Sequence, residues 1–408
     1  GPPWGAAVAG GRPAGAALCR PRARTCLASD VGYTGPRPGA VTAPIDPAAG
    51  ASAHGACPLV FLPTPGVMAQ SYRFSFGPWN ISPGADPFGP PVRKELAFAQ
   101  KIRAYRELGF TYVQLHDDDV VPADWDAKQT EKGVAKVKKI LEGEGLKGEF
   151  VAPRLWEDPK TIDGAYTANS AAHRRYARDR TRRAIDIARM LDIDLMVIWP
   201  AREGTYIREA KDAQVATGRL VEAIDDMLAY DDTIRIVGEM KPNEPMDQAY
   251  CPSVGHFMGL TYRTSDPARV GVLIESAHSI LAGLDPSDDM AYALWHDKLW
   301  GVHLNDQNGL KYDQDKTFGS VDVRRAFNQI WVLERAAYYD KGVVGLDVKA
   351  MRTTKAADAT QHLANSLKMF KRLLKLVRSV DEKKVEAFRN ARDYEGLEMY
   401  ILEHLTAG

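Results

Sequence analysis

Residues 171–199 read AAHRRYARDRTRRAIDIARMLDIDLMVIW, and this stretch decides the fold. Its first part, Ala171–Leu191, has apolar residues at helical spacing, and its last, Leu195–Trp199, is a short β-rich run. A helix that leads into an apolar strand after a few residues is half of a parallel βα repeat. Working outward, β-rich runs recur every ~30–46 residues. They fall at Tyr72–Phe76, Thr111–Leu115 and Gly148–Ala152, then at Ile234–Val237, Val270–Ile274, Trp300–Leu304 and Val343–Val348. Helical segments such as Arg93–Leu108, Gly133–Leu146 and Ala213–Ala229 lie between them. Eight such units predict a closed (β/α)8 TIM barrel over residues 68–364. A doubly wound sheet fits less well, because no G-x-G-x-x-G follows the first strand.

The flanks differ from this repeat. Residues 1–67 contain 22 Gly and Pro, no Lys, and only Asp30 and Asp46 as acids. Too little apolar surface is available there to offset ordering, so a disordered N-terminal extension is expected, with Met68 as the natural start of the folded part. Asn365–Val380 and Glu382–Leu405 have helical spacing but no following strand. They predict a C-terminal helical arm over 365–408, packed on the barrel or embracing a neighbouring subunit.

Composition excludes several classes. Lys+Arg equals Asp+Glu at 53 each, which leaves no cationic excess for a nucleic-acid partner. No apolar run approaches the roughly 20 residues of a membrane span. Of four cysteines, Cys19, Cys26 and Cys57 lie in the extension and Cys251 stands alone, which suits a reducing, cytoplasmic compartment.

In this architecture chemistry gathers at the C-terminal strand ends. The second strand ends in His116-Asp117-Asp118-Asp119, the fourth in Trp199, and the fifth runs into Glu239-Met240-Lys241-Pro242-Asn243-Glu244. The sixth gives Glu275 and His278, the seventh His303 with Asp313-Gln314-Asp315 beyond it, and the eighth Asp347 and Lys349. Individually such residues are ordinary turn or rim groups. Glu239, Glu275, His303 and Asp347, however, come from four successive strands around one half of the mouth. Converging carboxylates repel one another unless a cation lies among them. Glu275-x-x-His278 with Asp313 and Asp315 offers a second position sharing Glu275, as in two-metal sites. Oxygen-rich ligation with one or two imidazoles suits Mg2+, Mn2+ or Co2+.

The residues also carry a resemblance. Phe76-Gly77-Pro78-Trp79, Asp86-Pro87-Phe88-Gly89, His116–Asp119 and Tyr166-Thr167-Ala168-Asn169 occur in order. Arg202-Glu203-Gly204, Lys241-Pro242-Asn243-Glu244-Pro245 and Lys311-Tyr312-Asp313-Gln314-Asp315 follow. From about Arg73 to Arg352 the chain resembles the D-xylose (glucose) isomerase family, in its shorter class. The resemblance implies a metal-assisted hydride shift that interconverts D-xylose with D-xylulose and D-glucose with D-fructose, using two divalent cations per subunit. It implies that His116, oriented by Asp119, assists ring opening, and that Lys241 contacts the carbonyl end. Trp79 and Trp199 would wall the sugar pocket, with Lys349 at its edge. Phe88 would reach into a neighbour's site in a homodimer or homotetramer.

The chain also departs from the family. Gly301-Val302-His303-Leu304-Asn305 has His where the family has an Asp ligand, which is similar to L-rhamnose isomerase. Met240 replaces a proline, and the family's aromatic segment is not recognisable at Phe150–Trp156. An isomerase of another aldose, such as an L-rhamnose-type sugar, is therefore the alternative. A metal-dependent barrel endonuclease would need three metals and a basic groove. A non-catalytic sugar-binding barrel would have no use for His116 and Lys241 beside two metals.

Overall fold

The computed structural model describes residues 71–406 apart from 87, 88 and 311. The expected 1–67 extension lies outside the described residues. Eight parallel strands close into a ring in chain order. They are β1 (Phe74–Phe76), β2 (Tyr112–His116), β3 (Lys147–Ala152), β4 (Leu195–Ile198), β5 (Arg235–Glu239), β6 (Val270–Glu275), β7 (Leu299–His303) and β8 (Val344–Gly345). The ring is sealed by pairing β1 with β8, Phe74 opposite Val344.

Side chains along these strands alternate between two faces, as a two-residue period demands. Val113, Leu115, Val151, Met196, Ile198, Ile236, Val272, Ile274 and Val302 pack outward into the layer beneath the helices. Phe150, Ala152, Leu195, Val197, Val237 and Leu273 form a separate plug inside the ring. One step above that plug, the same inward parity yields Glu239 after Val237 and Glu275 after Leu273. His303 follows Gly301 and Asp347 follows Gly345 in the same way. The strand period itself thus aims the candidate ligands at the barrel axis.

Strand ends shift by a residue or two from those expected, and two of the differences bear on the site. The fifth strand runs two residues further than Val237, so Glu239 sits on the ladder, opposite Leu273. The eighth is only two residues long. Beyond it the chain leaves the ladder, and the Val348 carbonyl accepts from Asn80 Nδ2 instead. A two-residue antiparallel ribbon, Gly204–Thr205 with Gln248–Ala249, ties together the loops after β4 and β5.

Local signals bound the helices. Asp126, Asp212 and Asp322 cap the N-termini of Ala127–Glu144, Ala213–Tyr230 and Val323–Arg335 by accepting backbone N–H groups. Helix Gln361–Arg378 starts earlier than expected and closes the helical ring. Its Phe370 makes edge contacts at 5.0 Å with both Tyr72 and Phe74 of the first-strand segment. Burying a phenylalanine of this kind stabilises by ~1.5–3 kcal/mol. Only Glu382–Ala391 and Tyr394–Thr406 then remain beyond the barrel's own helices. No helix among the described residues is long and apolar enough to cross a membrane.

Candidate active site

The ligand atoms of Glu239, Glu275, His303 and Asp347 all lie within 4.8 Å of one another. His303 is at their centre, its Nδ1 3.5 Å from Glu239 Oε1, 3.4 Å from Glu275 Oε2 and 3.7 Å from Asp347 Oδ2. Strand register puts Glu275 and His303 side by side. Gly345 makes room for the imidazole, since a Cβ there would stand 2.6 Å from His303 Cδ2. Two of the carboxylates have one oxygen tethered. Trp79 Nε1 and Asn80 Nδ2 each donate to Asp347 Oδ1 at 2.9 Å, and Asn305 Nδ2 donates to Glu275 Oε1 at 2.8 Å. Their other oxygens face the centre.

Glu275, His278 and Asp313 form a second convergent group within the same limit. His278 Nε2 lies 3.3 Å from Glu275 Oε1 and 3.0 Å from Asp313 Oδ2. Glu275 belongs to both groups, as its position suggested. Asp315 does not join the second group. Its carboxylate pairs instead with Lys349 Nζ at 3.1 Å, on a residue whose φ is 42°.

Charge in this half is unbalanced. Burial works to raise the Glu239 carboxyl, but His303 and His278 outweigh it and lower it to about 2. Burial disfavours a charged His303, yet the Glu239 and Asp347 carboxylates raise it to about 9. Glu275 is pushed well above the carboxylate range by burial and then by Asp313, Asp347 and Glu239. Three buried polar atoms here, His278 Nδ1, His303 Nε2 and Asp313 Oδ1, have no hydrogen-bond partner. Buried carboxylates, imidazole nitrogens and orphaned donor atoms converging this closely fit one or two divalent cations.

The opposite half of the mouth is built differently. His116 stacks on Trp79 with ring centres 4.3 Å apart and meets the edge of Trp156 at 5.1 Å. Trp156 in turn meets Trp199 at 4.6 Å. Gly77 permits this wall, because a Cβ there would lie 2.2 Å from the Trp79 ring. Asp117–Asp119 form a short helix whose charges are met by arginines, with Asp117 fully buried. Arg180 Nε is 2.9 Å from Asp117, Arg154 Nε is 2.7 Å from Asp118, and Arg183 Nη1 is 3.5 Å from Asp117. Between the halves, Lys241 Nζ is 3.0 Å from both Glu244 and Asp313 and 5.3 Å from the Trp199 ring centre. Burial opposes its charge, but those two carboxylates outweigh burial and keep it protonated.

The two convergent groups, Asp315, Lys241, Glu244, Lys349, His116, Arg154 and the three tryptophans line one cavity of about 550 Å3, whereas Asp117–Asp119, Arg180 and Arg183 do not. Phe88 lies outside the described residues. Sequence reasoning missed Arg154, Trp156, Phe150 and Glu244 as cavity residues. The first three sit where the family motif fades, so only the alternation of β3 and the acids of the preceding loop pointed to them.

A closed parallel barrel with carboxylates and imidazoles convergent at its C-terminal mouth defines a (β/α)8 protein with a candidate metal site. The chain matches the family described as xylose isomerase-like TIM barrel over residues 102–373, and it belongs to that family. Among solved structures it is similar to a D-tagatose 3-epimerase-like protein, at 15% identity and a TM-score of 0.54, covering 77% of this chain and 99% of that one. It is similar to a D-psicose 3-epimerase in the presence of D-fructose, at 12% identity and a TM-score of 0.55, covering 74% and 99%. A xylose isomerase domain protein from Alicyclobacillus acidocaldarius subsp. acidocaldarius matches at 15% identity and a TM-score of 0.55, covering 76% and 100%.

Proposed function

We propose that the protein is a divalent-metal-dependent aldose–ketose isomerase that takes D-xylose or D-glucose to the matching ketose. In this reading it works with two cations per subunit, as a cytoplasmic homo-oligomer. The observation that carries the reading is Glu275 standing in both ligand groups, which gives two adjacent cation positions in one cavity. Bound there, divalent cations would supply Lewis-acid polarisation of two neighbouring sugar oxygens. Glu239, Glu275, His303 and Asp347 would hold one, and Glu275, His278 and Asp313, with Asp315 nearby, the other.

The remaining work belongs to the chain's own groups. Trp79, Trp156, Trp199 and Phe150 keep water from the carbons between which hydrogen moves, and this strengthens every electrostatic contact inside. Lys241, fixed between Glu244 and Asp313, donates to the carbonyl end of the sugar. Lys349, at the edge of the cavity, donates to a distal hydroxyl. His116, between Trp79 and Trp156, holds a sugar oxygen by its ring nitrogen. Replacing the family's aspartate with His303 favours Mn2+ or Co2+ over Mg2+.

The test is turnover of an aldose panel by protein stripped with chelator and recharged with Mg2+, Mn2+ or Co2+, run in D2O. A hydride shift leaves the ketose without deuterium on carbon. A second reading, ketose 3-epimerisation, draws on the solved structures named as 3-epimerases. It would show ketose as substrate and deuterium arriving at C3. Absence of turnover with every metal and sugar would end both.

A further inference from the structure

Arg154 lies where the family motif is lost, and it touches the one imidazole of the cavity that belongs to neither ligand group. Its Nη2 is 2.7 Å from His116 Nδ1, closer than Asp119 Oδ2, which is 3.0 Å from the same nitrogen. A guanidinium has five donors and no acceptor. At 2.7 Å the only attractive arrangement is Arg154 donating to a bare Nδ1 lone pair. A proton on Nδ1 would set two N–H groups head to head.

Asp119 Oδ2, 3.0 Å from the same nitrogen, gives up one donor in this arrangement but keeps others. It still accepts the His116 backbone N–H at 2.9 Å, and Asp119 Oδ1 accepts from the same Arg154 Nη2 at 3.3 Å. The two hydrogens of one NH2 group therefore serve both His116 and Asp119. Arg154 is anchored for this: Nε donates to Asp118 at 2.7 Å, and its backbone N–H donates to Asp117 at 2.9 Å. The side-chain hydrogen bonds of His116 among the described residues all run through Nδ1, so Nε2 is left for whatever occupies the cavity.

We propose that Arg154 fixes His116 as the neutral Nε2–H tautomer, so that the site takes sugars presenting a free carbonyl rather than closed pyranose rings. A bare Nε2 could act as a base on the anomeric hydroxyl, and an imidazolium could act as an acid on the ring oxygen. The neutral Nε2–H form does neither; it can only hold an oxygen by donating to it. Arg154 is thus a positioning residue that silences ring opening. The substrate class deepens the isomerase reading and rests on it, whereas the tautomer does not.

The experiment uses full-length protein loaded with Mg2+ and labelled with [15N]histidine, with His116→Gln identifying the signal. In the wild type, His116 should show a pyridine-type Nδ1 and a pyrrole-type Nε2. Arg154→Lys, which keeps the charge but loses the fork, and Arg154→Met should both exchange the two signals. A pyrrole-type Nδ1 in the wild type, or no exchange in a folded variant, overturns the proposal. Kinetics supplies the second arm, using D-xylose and D-glyceraldehyde, which matches it at C2 and is too short to close a five- or six-membered ring. Acid–base help is worth ~10²–10⁴-fold, so both variants should raise kcat/KM on D-xylose relative to D-glyceraldehyde by about tenfold or more. Equal loss on both sugars, the mark of mere structural damage, counts against the proposal. A protein inert toward every sugar sinks the isomerase reading, while the spectrum still decides the tautomer.

Discussion

The two halves of the barrel mouth both carry dense acid, yet they handle it in opposite ways. Beyond β2, Asp117, Asp118 and Asp119 face Arg154, Arg180 and Arg183, one guanidinium for each carboxylate. Around β5 to β8, among the described residues, Glu239, Glu275, Asp313, Asp315 and Asp347 have Lys241, Lys349 and two imidazoles as their cationic partners. The first cluster is electrically complete and serves as scaffold. The second has fewer cations than carboxylates at its centre, an arrangement that suits a bound cation. Counting acids would rank the two clusters alike, and only the geometry of their counter-charges separates them.

The sharpest way to break this contrast is Glu275→Gln, which disarms both cation positions at once. Activity should fall on the order of 10³-fold or more, about 4 kcal/mol of transition-state stabilisation. Calorimetric titration with Mn2+ should lose both binding events, and retention of either would dissolve the shared-ligand idea. On the other side, Arg180→Met leaves Asp117 buried without its closest partner. Urea unfolding should show a loss of ~3–5 kcal/mol, while Mn2+ binding by the folded fraction is unchanged.

An imidazole outside the cavity provides a pH test. His362 donates from Nε2 to the Asn80 carbonyl, and burial, with Arg93 nearby, lowers it to about 4. The unfolded chain takes up this proton first, so stability is full above pH 6.5 and drains away as pH falls toward 4. The drain is at most about 3 kcal/mol. His362→Asn should flatten the profile of urea midpoints between pH 7 and pH 4.5. The smallest effect is expected from His303→Asp, which makes the cation-poor half still more acidic. Relative affinity should move from Co2+ and Mn2+ toward Mg2+ by about tenfold, read by competition titration.

Much of this was legible before the fold was known. The closed ring followed from repeated helix-to-strand units, and the convergence of Glu239, Glu275, His303 and Asp347 from reading past each late strand, because strand parity and barrel closure are both periodic. What escaped was set by side-chain partnership across the chain. Asp315 shares a motif with Asp313, but it bends toward Lys349 once its backbone adopts a positive φ. Arg154 reads as an unremarkable loop cation, and only its approach to residues 35 to 38 positions earlier gives it a role. Helix Gln361–Arg378 looked surplus because no strand follows it, yet the ring needs an eighth cover and Phe370 supplies it.

The tether on Asp347 has one further consequence. Trp79 and Asn80 reach it from 268 and 267 residues away in sequence, across the seam where the last strand meets the first. The loop after β1 therefore decides which oxygen of Asp347 faces the axis. The candidate site takes its final shape only where β8 closes on β1.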